Sequence, residues 1–209
     1  MNKQDIFNYK FKYEKNNLNF YVNKTNKLSF DIISNDKYEK IFLIGPKKSG
    51  KTILGKIWKS KNNAIYFQKN FEFLINNDFN IIVDQLDSNI NEEELFHLIN
   101  HCNLKKLKIL TISSIELYKL NFNTKDLNSR LKTFVNTKIL NPDDDMLLNL
   151  LTKLFTEKQF IINSEEVFEF IIRRTNRTYE DIISLVDRLD KLSLEKKRQL
   201  TIPLIKEIL

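Results

Sequence analysis

The segment "GPKKSGKT", residues 45–52, constrains this chain more than any other. The sequence holds only three glycines, Gly45, Gly50 and Gly55, and all of them fall between positions 45 and 55. The segment satisfies G-x-x-x-x-G-K-[ST] in full, after an apolar run that reads as a strand and before a pattern that reads as a helix. In that setting Gly45 and Gly50 let the backbone turn so that its N–H groups face phosphate oxygens. Lys51 reaches the β- and γ-phosphates, and Thr52 offers a hydroxyl to Mg²⁺. Pro46, Lys47, Lys48 and Ser49 complete the cradle. The helix from Lys51, packed through Ile53, Leu54, Ile57 and Trp58, adds its positive N-terminal end. The glycines cluster, on this reading, because bare backbone must approach a phosphate. The expected cofactors are ADP or ATP with Mg²⁺.

A strand bearing a metal-reaching carboxylate should follow a phosphate loop. "NIIVDQLD" supplies it, with Asp84 closing the apolar run Ile81-Ile82-Val83. The next position is Gln85, where an acid would help activate water. An amide can orient water but cannot act as a base. The pair Asp84–Gln85 therefore reads as a nucleotide-binding switch rather than a fast ATPase.

The surrounding pattern sets the fold class. "KIFLIG" (40–45), "AIYF" (64–67), "NIIVD" (80–84) and "KILTIS" (108–113) are short runs rich in Ile and Val, the signature of strands buried on both faces. Helical patterns lie between them. "NEEELFHLINHC" opens with Asn91 as N-cap and Glu94 at capping-box spacing, and Leu95, Leu98, Ile99 and Cys102 recur on one face. Alternation of this kind predicts an α/β parallel sheet with right-handed crossovers. After "NPDDD" (141–145) only helices are expected. The first carries Leu147, Leu150, Leu151, Leu154 and Phe155 on one face, with Lys158 near its end. The second spans about 164–174 with Val167, Phe168, Ile171 and Ile172. The third runs from about 178 to 194 with Ile182, Val186 and Leu189. A short helix starts at Pro203, preceded by Thr201 or Ile202. The expected division is an N-terminal tail (1–18), an α/β base (19–140) and a helical lid (141–209).

Composition narrows the class further. The 209 residues, 42% hydrophobic and 29% charged, suffice for a real core and argue against disorder. No apolar run approaches the ~20 residues of a membrane span, and the charged start has no secretory apolar core. With the lone Cys102, this suits a cytoplasmic protein. The net charge of +7 is spread over scattered lysines and reads as a solvated basic surface. His97 and His101 sit four apart on one helix, but Leu98 stands where a zinc protease needs Glu, so both read as helix-surface or packing residues.

In their order these pieces resemble the Hda-type regulators, AAA+ proteins related to the initiator DnaA but lacking its DNA-binding domain. The resemblance rests on "NFYVNKTNKLSFDII" (19–33), "GPKKSGKT", "IIVDQLD", "NEEELFHLIN", "KDLNSRL" (125–131) and "QLTIPLIKEIL" (199–209), and covers nearly the whole chain. It implies a regulator of replication initiation that binds ADP, attaches to the DNA polymerase sliding clamp and promotes hydrolysis of DnaA-bound ATP. It places Tyr21 and Val22 beside the nucleotide. Arg130 matches the arginine finger, which stabilises charge growing on phosphate in a neighbour's site, worth ~10³–10⁵ in rate. Sensor 1 falls at Ser113 or Ser114. At sensor 2 the sequence departs from the family, with Glu180 where an arginine is usual and Arg177 one turn earlier as the substitute. Gln4, Ile6 and Phe7 in "QDIFNY" are ordered like a clamp-binding peptide. The expected partners are DnaA and the clamp, with self-association and direct DNA binding left open and localisation at the nucleoid through the clamp. Two rival functions stand beside this one: a self-sufficient ATPase of helicase-loader type, and a DNA-binding initiator-like module.

Overall fold

Ile41, Phe42, Leu43 and Ile44 follow one another without a polar break, and all four are buried. Such a run fits only a strand with cover on both faces. In the computed structural model it is an inner strand of the sheet, paired on both sides. The structure describes residues 20–67, 71–86, 90–120, 122–160, 166–196 and 198–209. The sheet elements are β1 (Lys40–Ile44), β2 (Ala64–Tyr66), β3 (Asn80–Val83), β4 (Ile109–Ser113) and β5 (Val135–Lys138), in the order β2-β3-β4-β1-β5 with every pairing parallel. The four strands read from the sequence are all present. The fifth, "VNTK", escaped that reading because it lies at the sheet edge: only Thr137 is buried. Its hydroxyl meets that of Ser29 at 2.9 Å.

Helices cover both faces. On one side lie α1 (Lys27–Ser34) and α2 (Lys51–Asn62), whose Ile33, Leu54 and Trp58 pack on Ile41, Leu43, Leu110 and Ile112. On the other lie α3 (Phe71–Ile75), α4 (Glu92–Lys105) and α5 (Lys125–Leu131). Their Leu74, Leu95, Leu98, Ile99, Cys102, Leu127 and Leu131 pack on Phe42, Ile44, Ile81, Val83 and Ile109. The period-two alternation of β1, with Ile41 and Leu43 to one core and Phe42 and Ile44 to the other, thus divides the base into its two layers. Asn91 caps α4, its side chain accepting from the backbone N–H of Glu93 (3.0 Å) and Glu94 (3.3 Å).

From Asp144 onward the described elements are helices: α6 (Asp144–Glu157), α7 (Glu166–Arg174), α8 (Tyr179–Lys196) and α9 (Ile202–Lys206). They share a third core of Leu147, Leu151, Phe155, Val167, Ile171, Ile182, Val186 and Leu189. α9 begins at Ile202, with Thr201 at its N-cap position and Pro203 inside the first turn. Lys158, just past α6, crosses to α8 and pairs with Asp190 at 2.8 Å and Asp187 at 3.3 Å. Met146 and Tyr179 leave the third core to join that of the base, and the Tyr179 hydroxyl donates to the Leu140 carbonyl at 3.3 Å. Among the described residues no helix is long and apolar enough to cross a membrane.

Candidate nucleotide site

Residues 45–50 leave the C-terminal end of β1 and enter α2. The loop starts with Gly45, whose N–H bonds the Ser113 carbonyl at 3.3 Å, and tightens through Ser49 N–H to the Pro46 carbonyl at 3.3 Å. Lys48 takes a positive φ of 62°, and Gly50, at the N-cap position of α2, has φ 92°. A methyl group on Gly50 would lie 2.7 Å from a ring carbon of Phe20 and one on Gly45 would lie 2.8 Å from Ser49 Oγ. Gly50 is thus needed for the turn itself, while Gly45 answers to the crowding of Ser49 and Ile139 beside it. Gly55 serves a different purpose. It lies a turn into α2 against β4, where an added Cβ would sit 3.0 Å from the Ile112 side chain. The third glycine of the cluster allows helix–sheet packing rather than approach to a phosphate, which corrects the single explanation offered for all three.

The candidate side chains gather at this end of the sheet. The Lys51 ammonium donates to the Gly45 and Pro46 carbonyls, both at 2.8 Å, so it is held over the loop. Thr52 is exposed on the first turn of α2. Asp84 follows β3 and accepts the N–H of Gln85 at 2.9 Å. Gln85 is exposed and has φ 57°. Beside Asp84, the Tyr66 hydroxyl is buried without a hydrogen-bond partner, as is Ser49 Oγ in the loop. Burial, and after it the Asp84 charge, pushes the Tyr66 phenol above its ordinary value. Two orphaned polar groups beside a lysine, an exposed threonine hydroxyl and a carboxylate form a donor and acceptor set that fits a phosphate with its Mg²⁺.

The segment before α1 links this loop to the lid helices. Phe20 is buried against Gly50 and stacks on Phe30, with ring centroids 6.1 Å apart. Val22 packs against the same core. The Tyr21 hydroxyl donates to Asp145 at 2.8 Å, and Asn23 donates to Asp143 at 2.9 Å and to Asp145 at 3.1 Å. Lys24 pairs with Asp143 at 3.3 Å. Burial pushes the Asp143 carboxyl up, but the Met146 N–H, Asn23 and Lys24 outweigh it and hold it below its ordinary value. Arg177 is ion-paired to Asp144 within the lid, and Glu180 is exposed. Of the two serines after β4, Ser113 spends its hydroxyl on Ile115, accepting its N–H (2.9 Å) and donating to its carbonyl (2.8 Å). Ser114 lines a cleft with Gly45, Pro46 and Asn141.

Arg130 lies on α5, away from any carboxylate within ion-pair distance among the described residues, with its guanidinium 4.9 Å from the centre of the Phe96 ring. Phe96 and Glu92, which hold α5 from α4, lie within "NEEELFHLIN" but were not singled out in the sequence. His97 packs beside Phe71 and Phe96, and Cys102 is in the core. Gln4, Ile6 and Phe7 lie outside the described residues.

A parallel sheet with a phosphate-type loop after β1, an acid after the neighbour-but-one β3, and a following helical lid give a fold of the P-loop AAA+ type. Comparisons with known proteins agree. The fold is similar to domain III of Thermotoga maritima DnaA, at 17% identity over 91% of this chain and 93% of that one, with a TM-score of 0.76. It is also similar to AMPPCP-bound DnaA from Aquifex aeolicus, at 19% identity over 85% of this chain and 66% of that one, with a TM-score of 0.68. A Haemophilus influenzae protein described as uncharacterized is 31% identical over 134 residues, which is 62% of this chain and 58% of that protein. Residues 144–209 match the family model "Hda, lid domain". Residues 144–209 are thus similar to the lid domain of Hda, and the likeness of the chain as a whole to the DnaA structures is one of fold.

Proposed function

We propose that this protein binds a nucleotide itself and lends Arg130 to the nucleotide site of a DnaA-type partner, so that ATP held by the initiator is hydrolysed and initiation is restrained. The observation that carries the reading is Arg130 itself. Arg130 is half-buried at the end of α5, and no carboxylate among the described residues neutralises its guanidinium. A positive charge with free N–H donors can stabilise charge developing on a transferred phosphoryl group.

The chain's own site supports binding more than turnover. The loop 45–50, Lys51 and Thr52 would hold ADP or ATP, with Tyr21 and Val22 alongside. Asp84 and Thr52 would hold Mg²⁺, which supplies charge neutralisation at the phosphates when bound. Binding by the AMPPCP-bound DnaA neighbour supports the same role for this loop. Gln85, exposed and turned by its positive φ, offers no base beside Asp84, which disfavours the self-sufficient ATPase. On this reading Ser114 rather than Ser113 is the polar sensor after β4, since the Ser113 hydroxyl is committed to Ile115. Gln4, Ile6 and Phe7 attach the chain to the sliding clamp, which brings it to the nucleoid.

The test is ATP hydrolysis by the matching DnaA protein, with and without this chain, in the presence of DNA-loaded clamp. Clamp-dependent stimulation that disappears in Arg130→Ala is the expected result. A well-folded, nucleotide-loaded protein that gives no stimulation would overturn the reading and turn attention to salt-sensitive DNA binding.

A further inference from the structure

We infer that Phe96 is a positioning residue for Arg130: α4 fixes the guanidinium through an aromatic face, leaving its charge and its N–H donors for a partner. The inference rests on the reading of Arg130 as a finger acting on another subunit's nucleotide.

Glu92 and Phe96 stand four residues apart on α4, and so share one face of that helix. That face holds α5 at two points. The Glu92 carboxylate accepts the backbone N–H groups of Asn123 and Thr124 (both 3.1 Å), the Thr124 hydroxyl (3.0 Å) and the Asn123 amide (3.3 Å). It therefore closes the N-terminus of α5, which receives no hydrogen bond from its own N-cap side chain. Leu127 and Leu131, fully buried, anchor the underside of the same helix. At its last turn the Arg130 guanidinium lies over the Phe96 ring. That ring is itself set edge-on to His97, with centroids 5.7 Å apart and planes at 71°. The seven-residue helix is thus fixed at its start, along its base and at Arg130 in its last turn.

The chemistry of the holding group matters. A carboxylate in the place of Phe96 would fix the guanidinium equally well but would cancel the charge and occupy the donors that the finger must deliver. An aromatic face attracts the cation through its quadrupole and uses none of the N–H groups. A long arginine side chain otherwise spreads over many rotamers, and restricting it raises the fraction poised for the neighbouring phosphate. Small losses of such alignment cost up to ~10² in rate.

The experiment compares Phe96→Leu, which keeps apolar bulk without a π face, Phe96→Tyr, which restores the face, and Arg130→Ala. Each is measured for stimulation of DnaA ATP hydrolysis with loaded clamp, and each free protein for the ring-current shift of the Arg130 side-chain protons by NMR. Phe96→Met serves as the second apolar replacement should the leucine variant fold poorly. The expected result is a stimulated kcat about tenfold lower in Phe96→Leu, with little change in the half-saturating concentration. The ring-current shift should vanish, and Phe96→Tyr should recover both. A normal kcat in Phe96→Leu alongside an inactive Arg130→Ala would overturn the positioning role and leave the finger standing. A normal kcat in Arg130→Ala would overturn the finger and, with it, the positioning role, reducing a surviving ring-current shift to a structural contact.

Discussion

Glu92 closes the first turn of α5 by accepting both the backbone N–H and the hydroxyl of Thr124, at 3.1 and 3.0 Å, across 32 residues of sequence. The Asn123 N–H, and after it the groups of Thr124, hold the Glu92 carboxyl below its ordinary value. A carboxyl depressed in the folded state stabilises above its unfolded pKa, and that contribution is lost as pH falls through the folded pKa. The start of α5 should therefore loosen in acid, below the ordinary carboxylate range. Amide hydrogen exchange at Asn123 and Thr124 should show good protection at neutral pH that falls on acidification. Glu92→Gln should show weak protection at both pH values. Equal protection in the wild type and the variant at pH 7 would exclude the capping role.

Gly50 combines φ 92° with a ring carbon of Phe20 where a Cβ would go, 2.7 Å away. Gly50→Ala must pay both a left-handed backbone and a steric overlap, together about 2–5 kcal/mol. It should lower the thermal midpoint and weaken nucleotide binding at least about tenfold, since RT ln 10 is only about 1.4 kcal/mol. Phe20→Leu in the same protein should recover part of the stability by relieving the overlap. It should not recover nucleotide affinity, because the backbone strain stays in the loop. Recovery of both would mean that Phe20 alone explains the glycine.

Much of this architecture was legible where the signal is local. The phosphate loop is a contiguous motif, and Ile81-Ile82-Val83 or Ile41–Ile44 can only be buried strands. The lid helices announce themselves through apolar spacing, as with Leu147, Leu151 and Phe155. β5 was not legible because an edge strand covered on one face needs only one buried residue in four, and Asn136 and Lys138 look like loop. The holding of Arg130 was illegible for another reason. Glu92 and Phe96 act on residues some thirty positions away, and nothing within α4 distinguishes them from an ordinary first-turn acid and a half-buried aromatic. Gly55 misled by proximity, since its neighbours in sequence bind phosphate while its neighbour in space is Ile112.

Cys102 offers a probe of the α4 side of the sheet. It is fully buried among Leu98, Ile99 and their neighbours, and burial pushes its thiol up to about 12. Only the thiolate attacks a disulfide reagent, so both access and ionisation oppose reaction. The native protein should react with an aromatic disulfide at pH 8 at least about a hundredfold more slowly than the denatured chain, given the combined loss of thiolate and access. The rate should rise with denaturant in step with loss of helical signal. Fast labelling of a fully folded sample would show that α4 leaves the sheet without global unfolding.

Arg177 and Asp144 are paired at the base of the lid, with side chains 51% and 72% exposed. An ion pair that open to water is worth less than about 1 kcal/mol. Asp144→Ala and Arg177→Ala should therefore each shift the thermal midpoint by only a few degrees, and a double-mutant cycle should return a coupling below about 1 kcal/mol. Nucleotide affinity separates the two roles open to Arg177. If the lid holds it through Asp144, both single variants should bind ADP and ATP like the wild type, and the position of Glu180 leaves the lid without a phosphate-sensing cation. A loss of ATP affinity confined to Arg177→Ala, with Asp144→Ala unchanged, would instead assign the guanidinium to the nucleotide and make the pair with Asp144 its resting place. Titration of both variants with a fluorescent ATP analogue, at low and moderate salt, decides between these outcomes.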